Sequence, residues 1–168
     1  KKMLLIDGHG LAFRGFYALP ETLTAADGTP TNAIVGFTNM LMKCIDDMEI
    51  ENVAMFFDPK GPTRRHDMFK EYKQGRKPTP ESFKRQLPII IDICGAMGVP
   101  VFIRSGIEAD DYIVSTAKTA AAGGWNVTIL SADKDLFQVI GEGISVMRPT
   151  KGVSEFRSYD EQFFTEEY

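Results

Sequence analysis

Short apolar runs alternate along the chain with longer segments in which apolar residues recur every three or four positions. The short runs predict five strands, at residues 3–6, 52–57, 99–103, 125–130 and 144–147. The longer segments predict four helices, at residues 33–45, 80–97, 108–122 and 135–140. Residues 153–157 are expected to form a hairpin arm, and a further helix to begin near 158–160. This alternation indicates an α/β domain with a mostly parallel central sheet and helices on both faces.

The composition agrees with a domain that buries a hydrophobic core. Of the 168 residues, 43% are hydrophobic and 25% are charged, which excludes a disordered tail, a collagen-like fibre and a disulfide-stapled mini-protein. No apolar run approaches the roughly 20 residues of a membrane span. Cys44 and Cys94 lie in helical apolar patterns and form no Cys-x-x-Cys pair. We therefore expect two buried, reduced thiols, as in a cytosolic protein, rather than a zinc site.

The helix at 80–97 has a well-defined apolar side in the sequence. We expect its buried face to consist of Phe83, Leu87, Ile90, Ile91, Cys94 and Met97.

The overall charge argues at first against a nucleic-acid partner. There are 19 Lys+Arg against 23 Asp+Glu, a formal net charge of −4, whereas nucleic-acid-binding domains usually carry a basic excess. Residues 60–85 depart from this balance, with nine basic residues against three acidic ones and with Phe69, Tyr72 and Phe83 between them. Basic groups neutralise phosphates and an aromatic ring can stack on an unpaired base, although a solvated charged face is the alternative.

Carboxylates gather where the predicted strands end. One strand runs into Asp7, another into Asp58, and a third reaches Asp133 after two further residues. Ligands of open parallel sheets bind beyond the carboxyl ends of the strands, so these acids and those of the neighbouring helix starts should meet at one edge of the sheet. The full set is Asp7, Asp58, Glu108, Asp110, Asp111, Asp133 and Asp135.

So many carboxylates repel one another unless cations neutralise them. Oxygen ligands suit Mg²⁺ or Mn²⁺, and two such ions about 3.5–4 Å apart would make a phosphodiester-cleaving site. Each acid also has a simpler interpretation, as a turn residue, a helix cap or a partner of the helix dipole. The coincidence of all of them at one sheet edge favours the metal site.

Other common sites are absent from the sequence. Gly8-His9-Gly10 follows a strand, but Phe13 stands where a dinucleotide fingerprint needs glycine. There is no Gly-Lys-Ser/Thr phosphate loop, and neither His9 nor His66 lies in the context of a catalytic triad.

Taken together, five motifs resemble one known family. They are Leu5-Ile6-Asp7-Gly8-His9, Phe57-Asp58-Pro59-Lys60-Gly61, Tyr72-Lys73-Gln74-Gly75-Arg76, Gly106-Ile107-Glu108-Ala109-Asp110-Asp111 and Ser131-Ala132-Asp133-Lys134-Asp135-Leu136. Over nearly its whole length the chain resembles the N-terminal part of the 5′-nuclease domain of bacterial DNA polymerases I, relatives of the flap endonucleases with a PIN-like fold. The resemblance implies a basic helical arch over the site, at residues 68–90.

The resemblance also implies roles for individual residues. The seven acids match the family's metal ligands, and Asp7 and Asp133 are among the expected catalytic residues. Lys73 and Arg76 match basic residues placed over the scissile phosphate, and Tyr72 matches an aromatic residue near the terminal base. The nucleic-acid contacts expected from the resemblance and from the basic segment are Arg65, Tyr72, Lys73, Arg76, Lys77, Lys84 and Arg85. The implied cofactor is Mg²⁺ or Mn²⁺, with two ions in the complete enzyme.

The implied activity is that of a structure-specific 5′→3′ exonuclease and flap endonuclease in replication and repair. Its expected partners are DNA with a 5′ flap or 5′ end, RNA primer–DNA hybrids and a fused or cooperating DNA polymerase, in the bacterial cytoplasm at the nucleoid and without a membrane. Residues 1–168 are expected to form the catalytic domain without its C-terminal helix–hairpin–helix part. The alternatives are a PIN-type single-strand ribonuclease and a non-catalytic DNA-binding fragment.

This interpretation changes the meaning of the net charge. Without the seven acids, 16 acidic residues remain against 19 basic ones, a balance of +3. The value of −4 therefore no longer argues against a nucleic-acid partner.

Overall fold

The computed structural model describes residues 1–59, 79–152 and 155–162. The described strands are β1 (Lys2–Asp7), β2 (Asn52–Phe56), β3 (Val101–Phe102), β4 (Asn126–Leu130), β5 (Ile144–Lys151) and β6 (Glu155–Tyr159). The described α-helices are α1 (Gly8–Ala18), α2 (Asn32–Met48), α3 (Glu81–Ala96) and α4 (Ala109–Ala122). A 3₁₀ helix spans Lys134–Val139. None of the helices in this described part of the chain is long and apolar enough to cross a membrane.

The described strands form one sheet in the order β3-β2-β1-β4-β5-β6. All neighbouring pairs are parallel except β5 and β6, which form an antiparallel hairpin. Strands β2 and β3 lie on one side of β1, and the later strands β4, β5 and β6 lie on its other side. The predicted α/β class, the mostly parallel sheet and the hairpin arm are confirmed.

Successive residues of the central strands face two separate cores. Leu4 and Ile6 of β1 pack on one side with α1, α2 and α3, whereas Leu5 packs on the other side with α4 and the 3₁₀ helix. Side chains of a strand alternate between the two faces of its sheet, so a strand covered on both sides must be apolar throughout. This explains why β1 is an unbroken apolar run, and it confirms that helices lie on both faces.

Helix α1 was not predicted from the sequence. Its first turn contains Gly8 and Gly10, and glycine in a helix costs about 1 kcal/mol relative to alanine. The helix forms because Asp7 accepts a hydrogen bond of 3.0 Å from the Gly10 N–H at its start. In addition, one face of the helix, with Leu11, Ala12 and Phe16, is buried in the core. Gly8 is required by packing, since a Cβ there would lie 2.6 Å from the Phe57 ring.

Several predicted details differ in the structure. Strand β3 has only two residues, and it begins after Pro100, which has no N–H to donate to a neighbouring strand. The segment at 135–140 forms a 3₁₀ helix, and β6 continues to Tyr159, so helical backbone begins at 161 and not near 158–160. Met97 was expected in the core but is 40% exposed, because it lies beyond the last residue of α3. Both cysteines are buried and form no disulfide, as predicted.

A buried polar network joins α2 to α3. Gln86 of α3 accepts hydrogen bonds from the N–H groups of Ala33 and Ile34, at 2.8 and 3.1 Å, and donates one to Asn32. Asn32 in turn donates to the carbonyl oxygens of Phe16 and Leu19 at the end of α1. Gln86 therefore satisfies the start of α2, where Thr31 supplies no side-chain cap.

Candidate functional site

The candidate site lies where the order of the strands changes direction. Strands β1 and β4 are neighbours, and the helices that follow them pack on opposite faces of the sheet. Open α/β sheets usually bind their ligands at such a divergence, beyond the carboxyl ends of the two strands. Asp7 ends β1 and Asp133 follows β4, so both lie at this position.

Asp7 is held by two hydrogen bonds and is largely removed from water. Its Oδ1 accepts from the Gly10 N–H at 3.0 Å, and its Oδ2 accepts from the Ser131 hydroxyl at 3.3 Å. Burial raises the pKa of Asp7 to about 6, and the nearby carboxylates of Asp58 and Asp133 add to the rise. The two hydrogen bonds favour the charged form and only partly offset the effect of burial.

Ser131 connects the acids of the two strands. Its side chain is only 3% exposed; the hydroxyl donates to Asp7 and accepts a hydrogen bond of 3.1 Å from the Asp133 N–H. Sequence reasoning included Ser131 in a motif but gave it no role. The available signal was a small polar residue directly after a buried strand, where only a hydrogen-bonded hydroxyl is tolerated.

Asp58 is oriented by groups from two other elements. Its Oδ1 accepts a hydrogen bond of 2.8 Å from the N–H of Ala109, the first residue of α4. Its own N–H donates to Nδ1 of His9 at 3.0 Å, and the imidazole ring packs edge-on against Phe57. An accepting Nδ1 belongs to the neutral imidazole with its proton on Nε2. His9 is thus a site residue that sequence reasoning missed, because its partner is distant in the chain.

Asp110 lies in the first turn of α4, where burial and the charges of Asp7, Asp58 and Asp133 raise its pKa. Burial raises the pKa of Asp110 to about 8, together with the charge of Asp7, a hydrogen bond that the protonated carboxyl donates to Asp133, and the charge of Asp58. Like charges at short range disfavour simultaneous ionisation. We call these four residues the acid cluster: Asp7, Asp58, Asp110 and Asp133.

The other three predicted acids border the acid cluster in sequence. Glu108 precedes α4 and is only 4% exposed, Asp111 follows Asp110 in the same turn, and Asp135 is exposed after Asp133. Within residues 1–59, 79–152 and 155–162, no three His, Cys, Asp or Glu side chains are arranged as a metal-binding group. The assignment of the seven acids as metal ligands therefore stays a prediction.

The described part of the basic segment begins helix α3. Lys84 pairs with Glu81 at 3.3 Å, and Arg85 is exposed beside it. Phe83 is buried and stacks on Phe13 with ring centroids 4.0 Å apart, so it belongs to the core and is not available to stack on a base. The other predicted nucleic-acid contacts lie outside the described residues: Arg65, Tyr72, Lys73, Arg76 and Lys77. Residues 68–78 of the predicted arch at 68–90 lie there too, and from residue 81 the rest of the arch is part of α3.

Comparison with known proteins identifies the family. Residues 2–168 match the family model described as "5'-3' exonuclease, N-terminal resolvase-like domain". The chain belongs to this 5′-3′ exonuclease family. The predicted resemblance is therefore confirmed.

Individual relatives agree with this assignment. The chain is 38% identical over 167 residues to DNA polymerase I of Mycobacterium tuberculosis, covering 99% of this chain and 18% of the relative. It is 43% identical over 148 residues to the thermostable DNA polymerase I of Thermus aquaticus, covering 88% of this chain and 18% of the relative. The chain thus spans less than a fifth of the length of these polymerases.

A solved nuclease shares the fold. The flap endonuclease of bacteriophage T5, in a pseudo-enzyme–product complex with DNA and metal ions, superposes with a TM-score of 0.75 at 17% identity. The match covers 99% of this chain and 60% of that one. The PIN-like 5′-nuclease fold expected from the sequence is thereby confirmed.

Proposed function

We propose that the protein is a divalent-metal-dependent, structure-specific 5′ nuclease that acts on DNA 5′ ends and 5′ flaps and on RNA primers. The observation that carries the proposal is the acid cluster, assembled at the switch point of the sheet in a chain of the 5′-3′ exonuclease family. Its relatives are DNA polymerases I, and its structural neighbour is a flap endonuclease in complex with DNA. We place its action in the bacterial cytoplasm, at the nucleoid and together with a DNA polymerase.

The acid cluster has the donor chemistry of a site for a hard cation. Its groups are carboxylates, and two of them, Asp7 and Asp110, keep their protons above the usual pKa of a carboxyl because they are buried and because their neighbours are negative. A divalent cation would replace those protons, and oxygen donors suit Mg²⁺ or Mn²⁺. The acid cluster would hold such an ion, with Glu108, Asp111 and Asp135 as the further proposed ligands. When bound, such ions supply a water of lowered pKa and neutralise charge on the phosphate.

The chain's own residues orient the acids and the substrate. Ser131 fixes the Asp7 carboxylate and the Asp133 backbone, while His9 and the start of α4 fix Asp58. Lys73 and Arg76 are proposed to stabilise charge on the scissile phosphate. Lys84 and Arg85 are proposed to contact the phosphate backbone with the rest of the basic segment, and Tyr72 to stack on the terminal base.

The proposal is tested by comparing wild type with Asp133→Asn, since an Asn oxygen can still accept the hydrogen bond of 2.9 Å from the Asp135 N–H. The full-length wild-type protein should cleave a 5′-flap DNA in Mg²⁺ but not in EDTA. Asp133→Asn should cleave about 100-fold more slowly or worse, with a melting temperature no lower than that of wild type. Asp46→Asn, an exposed acid on α2, is the matched control.

Three outcomes contradict the proposal. Cleavage by Asp133→Asn at the wild-type rate would show that the acid cluster is not required for catalysis. Cleavage of plain single-stranded RNA as fast as the flap indicates a PIN-type ribonuclease. Tight binding of the flap without cleavage, even in Mn²⁺, indicates a DNA-binding module.

A further inference from the structure

Arg148 of β5 holds the loop that carries Asp133. Its Nε and Nη2 both donate hydrogen bonds to the carbonyl oxygen of Ala132, at 3.2 and 3.1 Å. The same guanidinium lies over the ring of Phe137, 5.7 Å from the centroid. Two donors on one acceptor and one aromatic face together restrain this half-buried side chain.

The register of the sheet explains why Arg148 reaches this loop. Leu130, the last residue of β4, pairs with Met147, and the Ser131 N–H donates to the Met147 carbonyl at 3.1 Å. Strand β5 continues past this point because it is paired with β6 on its other side, where Arg148 lies opposite Arg157. Arg148 is therefore the first residue of β5 beyond the end of β4, next to the segment that leaves β4.

The contact with Arg148 completes the support of a single peptide unit. The Ala132 carbonyl and the Asp133 N–H belong to the same planar peptide group. Arg148 binds the oxygen of this group, and the Ser131 hydroxyl binds its N–H at 3.1 Å. Hydrogen bonds at both ends restrain the rotation of this peptide group, and they thereby restrain the backbone from which the Asp133 side chain extends.

We infer that Arg148 is a positioning residue for Asp133 and that its loss weakens the binding of divalent cations without removing any metal ligand. The inference rests on the proposed function. Residues that orient metal ligands from outside typically change metal affinity 10- to 100-fold when they are replaced. The competing role is a direct contact between Arg148 and a nucleic-acid phosphate, which would change substrate binding instead.

The first measurement is Mn²⁺ binding to the chain by isothermal titration, with no substrate present. Arg148→Ala should bind Mn²⁺ about tenfold more weakly than wild type or worse. Arg148→Gln should bind with intermediate affinity, because its amide can still donate one hydrogen bond to the Ala132 carbonyl. Arg157→Ala, which removes the same charge from the paired position on β6, should bind like wild type.

The second measurement is amide exchange of Asp133 by NMR in EDTA. Arg148→Ala should speed this exchange several-fold, whereas amides in the middle of β1 should not change. In a flap-cleavage assay the same variant should need more Mg²⁺ for half-maximal rate, with KM for DNA unchanged. If Arg148→Ala does not fold, Arg148→Gln carries the same comparisons.

The outcomes separate the inference from the proposed function. Wild-type Mn²⁺ affinity and wild-type Asp133 exchange in Arg148→Ala, or a raised KM alone, overturn the positioning role while the nuclease proposal stands. A wild-type chain that binds no Mn²⁺ and cleaves no flap overturns the proposed function and this inference with it.

Discussion

Gln86 Nε2 donates a hydrogen bond of 2.9 Å to Asn32 Oδ1, and both side chains are fully buried. Through this pair the start of α3, which contains the end of the basic segment, is joined to the start of α2 and the end of α1. The packing of these three helices is therefore fixed by buried amides as well as by apolar contacts.

Replacing Gln86 by Met should destabilise the protein although the volume is nearly conserved. The change leaves the N–H groups of Ala33 and Ile34 and the Asn32 amide oxygen without their partner in the core. An orphaned buried polar group costs about 1–3 kcal/mol, so we expect a loss of about 2–4 kcal/mol in urea denaturation. Asp92→Asn, on the exposed side of the same helix, should change the free energy of unfolding by less than about 0.5 kcal/mol. Equal effects of the two variants would show that the network contributes nothing.

The crossing of α1 and α2 depends on two glycines. A Cβ on Gly36 would lie 2.5 Å from the Cα of Gly15, so Gly36→Ala must push the two helix backbones apart. We expect a loss of about 1–3 kcal/mol or more by thermal unfolding. The control is Gly95→Ala in α3, where an added Cβ meets nothing within 4 Å. That variant should be stabilised by about 0.5–1 kcal/mol, and a stabilised Gly36→Ala would contradict the close crossing.

In EDTA, the stability of the protein should fall as the pH rises from about 4 to 8. In the folded state the pKa of Asp7 is raised to about 6 and that of Asp110 to about 8, whereas the ordinary pKa of such a carboxyl is 3.8. The folded state therefore binds more protons than the unfolded state across this range, and the free energy of unfolding decreases with pH.

Asp110→Asn removes part of that dependence. At pH 8 in EDTA the variant should be more stable than wild type by about 1 kcal/mol or more, and near pH 4 the difference should vanish. Melting temperatures at the two pH values measure the effect, with Asp46→Asn as the exposed control. A gain that is the same at both pH values would show that charge repulsion is not its cause.

Ser131→Ala should impair catalysis more than stability. The change removes the hydroxyl between Asp7 and Asp133 but leaves every carboxylate in place. We expect kcat for flap cleavage to fall about 10- to 100-fold, as for other groups that orient metal ligands, with little change in KM. Ser145→Ala, which removes a hydroxyl near the start of β5 that bonds to Thr128, should keep the wild-type kcat. An unaltered kcat in Ser131→Ala would exclude its orienting role.

The sequence was sufficient for the sheet because burial on both faces produces unbroken apolar strands such as 3–6. It also located Asp7, Asp58 and Asp133, since a strand's end is visible where the apolar run stops. Helix α1 escaped prediction because its glycines are selected by contacts with Phe57 and with α2, which are distant in the chain. The burial of Gln86 was not predicted for a similar reason. The apolar pattern of a helix indicates which residues the hydrophobic effect buries, whereas this amide is buried because it has hydrogen-bond partners on another helix.

Within the site, the residues that orient the acids were the least predictable. His9 and Arg148 act through a backbone N–H and a backbone carbonyl of other segments. Such contacts leave no spacing pattern in the sequence, so they become visible only when the strands are placed side by side.

The central place of β1 has a consequence for how the protein is made. One of its two neighbours, β4, comes late in the chain, and the contact between Asp7 and Ser131 joins residues 124 positions apart. At about 5–20 residues per second, a ribosome needs on the order of ten seconds to cover that distance. During this interval one edge of β1 has no partner strand. Asp133, which follows β4, has not yet been synthesised or placed beside Asp7. A partly synthesised chain therefore has no assembled acid cluster. Any nuclease activity can arise only after β4 has paired with β1.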